Sequence, residues 1–400
     1  MRTLVYQNHS TMQEKNIPEI DVLVVGPPKS GKTVLLSSLY NGMSGVKKDT
    51  GFFLSAEDHQ KGNVLLNRYA NIEGTRKFPL PTYDIVVYTF FGKIKARSGR
   101  TFDALKINYY DYAGGMANLG SYQGSNEYQE ILKKADVRIG LIDGNKLLRS
   151  LKNANYSQQF YLEEIHWLIN DLTNLYTPNS GAAVHLIISK WDELRHYGFT
   201  ILDVKQHLLK YKRFKEAVDV VIDFKGNVRL IPVSALGFDF MEYNEVELDS
   251  TPKELGVLEP YYVEIALSLA LVDPLANTLK LLQNEINSVK DEIDRPIGVS
   301  PRLSLWQRIQ RGIGNFAEKL SRRFKVDSEF LERVTQWKSI GDDQIEAAKI
   351  EEEKIRQELK KKLEFVDSEE KAANVVRDIF IANALKLKQD HPGSLIDKNN

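Results

Sequence analysis

The octapeptide Gly26-Pro-Pro-Lys-Ser-Gly-Lys-Thr33 has the spacing G-x-x-x-x-G-K-T, preceded by the apolar run Ile20 to Val25 and followed by the helical pattern Val34 to Tyr40. A strand, a glycine turn and a helix in that order suit phosphate binding. The two glycines allow a turn whose N–H groups surround a phosphate, and the helix N-terminus adds partial positive charge. Gly26, Lys29, Ser30, Gly31 and Val34 are candidate phosphate contacts. Lys32 is placed to reach the β- and γ-phosphates, and the Thr33 hydroxyl to ligate Mg²⁺.

Three later segments follow apolar, β-branched runs. Asp111-Tyr-Ala-Gly114 ends the run Leu105 to Tyr110, so Asp111 is a candidate Mg²⁺ residue and the Gly114 N–H a γ-phosphate contact. Ser189-Lys-Trp-Asp192 ends the run Val184 to Ile188. A carboxylate at Asp192 can accept both N1–H and the 2-amino group of guanine, a pair that adenine lacks, while the Lys190 stem covers the base. Ser234-Ala-Leu236 follows the run Val228 to Val233, where the N–H groups of Ser234, Ala235 and Leu236 can meet the guanine O6. Loops at strand C-termini are where an open parallel sheet binds its ligands.

With these four segments in this order, residues 18–285 resemble the translation-factor-related class of P-loop GTPases. The long interval before Asp111, the Phe78-Pro-Leu-Pro-Thr82 element and the helical tail resemble the double-GTPase families of bacterial conflict systems. The resemblance implies GTP and GDP binding with Mg²⁺, slow hydrolysis and a nucleotide-dependent interaction surface. Three positions depart from the family pattern: Ser189 replaces a bracing Asn or Thr, Gly115 stands where many members carry a water-orienting Gln, and the switch threonine is Thr82 or Thr75. Thr82, the first choice, is expected to touch Mg²⁺ and the transferred phosphate. Lys29 occupies the place of an intramolecular arginine finger in guanylate-binding proteins and atlastins. It is either a catalytic cation or an exposed loop lysine.

The elements that must position these residues alternate as in a mostly parallel sheet flanked by helices, an α/β P-loop GTPase domain followed by an α-helical C-terminal region. Strands are expected at Ile20–Val25, Asp84–Lys95, Ala104–Tyr110, Val137–Ile142, Val184–Ser189 and Val228–Val233. Helices are expected at Lys32–Tyr40, Ala56–Ala70, Tyr128–Lys134, Ser157–Tyr176, Ile201–Tyr211 and Tyr261–Glu285. Charged residues rise from about 23% to about 37% beyond residue 286. This sets an N-terminal extension at 1–17, the P-loop domain at 18–285 and the helical region at 286–400.

Residues 302–325 hold seven basic residues and one acid, Glu318, around an apolar stripe. That is a basic amphipathic helix, either packed on protein or resting on a lipid surface. Gln344 to Val366 reads as a surface helix or short coiled-coil arm with Glu352–Arg356 and Glu358–Lys362 pairs. The tail is the expected surface for a protein effector, a second GTPase or a homodimer. Two alternatives remain at this level: a dynamin-like, membrane-recruited assembly GTPase, or a scaffold that binds GTP without hydrolysing it.

With Lys plus Arg and Asp plus Glu at 54 each, no global basic field points to nucleic acid. No cysteine is present, which excludes thiol catalysis and Cys-ligated metals. The absence of an apolar leader and of long apolar runs gives a cytoplasmic expectation. Asp143 reads as a strand-end cap, and the seven histidines show no ligand spacing.

Overall fold

The computed structural model describes residues 17–80, 85–111, 126–152, 161–173, 183–223, 227–270, 272, 328–341 and 344–396. Thr82, Gly114, Gly115 and the basic segment 302–325 lie outside the described residues.

An eight-stranded sheet forms the centre, in the order β10-β7-β6-β5-β1-β4-β3-β2. β1 (Glu19–Val25) is apolar at almost every position because it is buried on both faces. It pairs in parallel with β4 (Thr101–Asp111) on one side and β5 (Val137–Ile142) on the other. β6 (Ala183–Ile188) and β7 (Asn227–Pro232) continue the parallel half. The edges are antiparallel: β2 (Phe52–Ala56) on β3 (Val86–Lys95), β3 on β4, and the two-residue β10 (Leu395–Ile396) on β7. The sheet is thus mostly parallel, as expected, with antiparallel margins that the patterning did not reveal.

Period-two alternation divides β1 between two cores. Ile20, Val22 and Val24 face a cluster that holds α1 (Lys32–Met43) and the C-terminal helices. Leu23 and Val25 face a second cluster with α5 (Tyr161–Thr173), α7 (Ile201–Leu209) and α8 (Lys212–Asp223). The expected helix from Ala56 is corrected: Ala56 ends β2, and α2 (His59–Thr75) begins where the Asp58 carboxylate caps the N–H groups of Gln60 and Lys61. Short elements missed by periodicity are α3 in part (Asn126–Lys134), α4 (Gly144–Lys152), α6 (Trp191–His196) and the hairpin β8–β9 (Met241–Asn244 and Asp249–Pro252).

In the C-terminal region, helices Ser328–Ser339, Ile345–Lys362 and Glu369–Asp390 share the first core with the sheet. Ala348, Ile355 and Leu359 are buried, so the anticipated stripe packs on Glu369–Asp390 rather than reaching into solvent. The Glu352–Arg356 pair forms at 2.6 Å. The Glu358–Lys362 pair does not: Lys362 instead meets the buried Asp378 at 2.7 Å, and Glu358 meets Arg333, because tertiary partners outcompete a solvated i,i+4 contact. None of the described helices is long and apolar enough to cross a membrane.

Candidate functional site

The ends of β1, β4, β5, β6 and β7 open on one side of the sheet, and β1 sits where the chain's crossovers diverge to β4 and to β5. Such a switch point leaves a crevice. Here it is a cavity of about 660 Å³ lined by the loop from Pro28 to Thr33, by Ser189, Lys190 and Asp192, and by Ala235 and Leu236. Three of the four segments singled out by spacing therefore share one space, although they lie about 40 to 200 residues apart in sequence.

At one end, Gly31 adopts φ 93° as the residue before α1, a left-handed conformation that favours glycine. A Cβ on Gly26 would lie 3.0 Å from the Leu141 side chain and 3.1 Å from its carbonyl, so the loop packs closely on β5. Lys29 also has positive φ, 64°, and its exposed side chain borders the cavity. The Lys32 ammonium donates to the carbonyls of Gly26 (2.7 Å) and Pro27 (3.0 Å). Burial lowers its pKa to about 8, against the opposing pull of Asp111 and Asp143.

Asp111, fully buried at the end of β4, accepts a long hydrogen bond of 3.4 Å from the Thr33 hydroxyl. Burial raises its pKa, while Lys32 and Arg68 pull it down. Its Oδ1 has no hydrogen-bond partner, nor has the buried hydroxyl of Ser30. An orphaned carboxylate oxygen beside a threonine hydroxyl suits a hard divalent cation such as Mg²⁺. Among the described residues no three acidic or histidine side chains gather around one point. Thr33 and Asp111 are the residues that would hold it.

The other end is built on α6. Lys190, at φ 50°, directs its ammonium to both oxygens of Asp143 (2.9 and 3.1 Å). Asp143 ends β5 and caps α4 by accepting from the N–H groups of Asn145 and Lys146, so it joins two strand ends as well as capping a helix. Ser189 itself, through N and Oγ, only ties back to the Ile142 carbonyl.

Asp192 is 4% exposed, and its Oδ2 accepts from the Tyr243 hydroxyl at 2.9 Å. Burial raises its pKa; hydrogen bonds from Ser234 and Tyr243 counter that. Glu193, next to it, accepts from Asn145 (2.6 Å) and Ser250 (2.9 Å), and burial pushes its pKa up to about 7. The Ser234 loop is pinned by an isolated bridge to Tyr261 and by the Ser38 hydroxyl of α1, which donates to the Ala235 carbonyl at 2.6 Å.

Asp143, Asn145, Glu193, Tyr243 and Ser250 were absent from the sequence-based list. Position at the end of a strand next to β1 could have flagged Asp143. Nothing local marked Tyr243 or Ser250, which reach the site from a hairpin.

No family model matches the chain, and no curated protein matches it. Among solved structures it is similar to the signal recognition particle receptor SRβ–GTP/SRX complex from Chaetomium thermophilum, with 15% identity over 55% of this chain and 91% of that one and a TM-score of 0.31. It is also similar to the cytosolic domain of the T. maritima FeoB iron transporter in GDP form II, with 14% identity over 86% of this chain and 97% of that one and a TM-score of 0.27. Both scores are low, and neither likeness bears on function; the site's own residues do. What fold and site define together is an α/β protein with a strand–glycine loop–helix unit at the switch point of its sheet.

Proposed function

We propose that the protein binds GTP and GDP with Mg²⁺, hydrolyses GTP slowly to GDP, and acts as a nucleotide-dependent switch. One observation carries the reading: a single cavity has the phosphate loop at one end and the buried Asp192 carboxylate, with Lys190 and the Ala235–Leu236 backbone, at the other. A carboxylate there, in its ionised form, selects a base that presents two adjacent donors. The Lys32 ammonium, held by two loop carbonyls, would exchange these acceptors for phosphate oxygens when a nucleotide enters the turn. Held by Thr33 and Asp111, Mg²⁺ would neutralise charge on the transferred phosphoryl group. Thr33 and Asp111 orient that end of the site, and Lys29 lies at its rim.

Slow turnover is inferred from Gly115, which has no side chain to orient water. Support for a switch comes from the route out of the site: Tyr261, paired with Ser234, bonds His391 at 2.8 Å at the end of helix Glu369–Asp390. A partner or second copy that engages the C-terminal helices is thereby coupled to the base loop. The resemblance to double-GTPase conflict systems supports a defence role through the Phe78-to-Thr82 element and the helical tail.

The test is a binding titration with GTP, GDP, ATP and xanthosine nucleotides, followed by single-turnover phosphate release. Tight GTP and GDP binding with weak ATP competition is the expected result. Equal competition by ATP removes the guanine reading.

A further inference from the structure

The hairpin β8–β9 lies across the base end of the cavity, where Met241, Asp249 and Ser250 line it together with Asp192. Several side chains fasten it. The Leu248 carbonyl accepts from Asn145 (2.8 Å) and Arg149 (3.0 Å), Ser250 donates to Glu193 (2.9 Å), and the Tyr243 ring stacks on His196 with centroids 4.3 Å apart. Leu248 itself has φ 51°, a conformation costly for a leucine, kept where two donors on α4 hold its carbonyl. The hairpin is thus built against α4 and α6, not left as a free loop.

Its Tyr243 hydroxyl donates to Oδ2 of Asp192 at 2.9 Å. The terminal torsion of an aspartate is broad, so an unrestrained carboxylate presents its oxygens over a wide range of angles. A stacked tyrosine removes that freedom.

We propose that Tyr243 is a positioning residue for base selection: it holds the Asp192 carboxylate in the one orientation that accepts two donors from a purine. The inference rests on the guanine reading above. It adds that discrimination against purines lacking a 2-amino group depends on a residue from the hairpin, outside the four segments that form the rest of the site. Ionised carboxylate oxygens each accept more than one hydrogen bond, so the hydroxyl and the base can share Asp192.

The experiment is calorimetric binding of GDP, IDP and ADP to the full chain and to Tyr243→Phe, which keeps the ring and its stacking on His196. Tyr197→Phe, which removes a different fastening bond of the hairpin (Tyr197 hydroxyl to the Asn244 carbonyl, 3.3 Å), serves as control. Thermal midpoints without nucleotide check the fold. Tyr243→Phe should weaken GDP about fivefold and IDP much less, in line with the ordering contributed by one hydrogen bond, so the GDP-to-IDP ratio narrows while Tyr197→Phe leaves it unchanged. An unchanged ratio in Tyr243→Phe, or equal narrowing in both variants, overturns the inference. A wild type that binds ADP as well as GDP overturns the guanine reading itself, and the inference with it.

Discussion

The buried ammonium of Lys32 makes nucleotide affinity pH-dependent in a calculable way. Its pKa is lowered from 10.5 to about 8 by burial, so the unfolded chain holds the proton more tightly than the folded one. Between about pH 8 and 10.5 the fold therefore gains stability as pH rises, and below about 8 the fold carries the full cost of a buried charge. Phosphate oxygens beside the ammonium reverse this by favouring the charged form. Binding above pH 8 must then take up a proton. At about pH 9 roughly one free protein in eleven has Lys32 charged, against about ten in eleven at pH 7, so affinity should fall about tenfold, or ~1.4 kcal/mol. Guanine itself begins to lose its N1 proton at about pH 9, so only the part of the slope that disappears in Lys32→Met belongs to the lysine. In two buffers of different ionisation enthalpy, calorimetry should show proton uptake at pH 9 and almost none at pH 7. Lys32→Met should bind far more weakly and lose this slope. A flat wild-type profile, or the same slope in Lys32→Met, would refute the assignment of that proton to Lys32.

Other substitutions test other parts of the site. Asp192→Asn should weaken GTP by about 1.5 to 3 kcal/mol and shift preference toward xanthosine nucleotides, because the amide donates where the carboxylate accepted; unaltered selectivity in a competition assay would count against Asp192 as the base reader. Gly237→Ala should lower the denaturant midpoint by about 1 to 3 kcal/mol of stability, since its φ is +86° and a Cβ would lie 2.2 Å from the Glu259 carbonyl; nucleotide binding should weaken with it through the adjoining Ser234 loop. Lys29→Ala should reduce single-turnover hydrolysis at least tenfold, ~1.4 kcal/mol of barrier, with little change in GTP affinity if the lysine meets charge that develops only in the transition state. Equal losses in rate and affinity would make it a ground-state contact, and no change would make it a plain surface lysine.

The parts of this molecule that were legible in its sequence are those whose determinants are contiguous. The run from Ile20 to Thr33 encodes strand, turn and helix within fourteen residues, and the segments at 189–192 and 234–236 each follow an apolar run that can only be a buried strand. β2 was hidden because its five residues lead directly into a helix, and β10 because two residues carry no periodicity. In the hairpin, Met241 and Tyr243 share one face of β8 with a small core cluster, but two apolar residues in four are too few to show a period, and Asp-Ser-Thr-Pro shows none. The hairpin's stability comes from Asn145, Arg149, Glu193 and His196, residues between 45 and 105 positions away, and no local pattern reports such contacts.

The same distinction separates what the phosphate end and the base end of the cavity require. Phosphate recognition uses backbone N–H groups and one lysine, so a short motif suffices to specify it. The proposed base recognition needs an accepting carboxylate inside protein, where burial raises its pKa. Groups on separate elements oppose that rise: Tyr243 from β8, Ser234 after β7, and Lys190, itself fixed by Asp143 after β5. Lys190 cannot both anchor Asp143 and swing freely, so its stem is held against the cavity wall where a base would lie. Because Ser234 is bridged to Tyr261, and Tyr261 to His391, a shift of the base loop is felt at the end of the C-terminal helix. In the proposed function, selection of the base and communication with the helical region would depend on one set of contacts, and a substitution that loosens the first is expected to loosen the second.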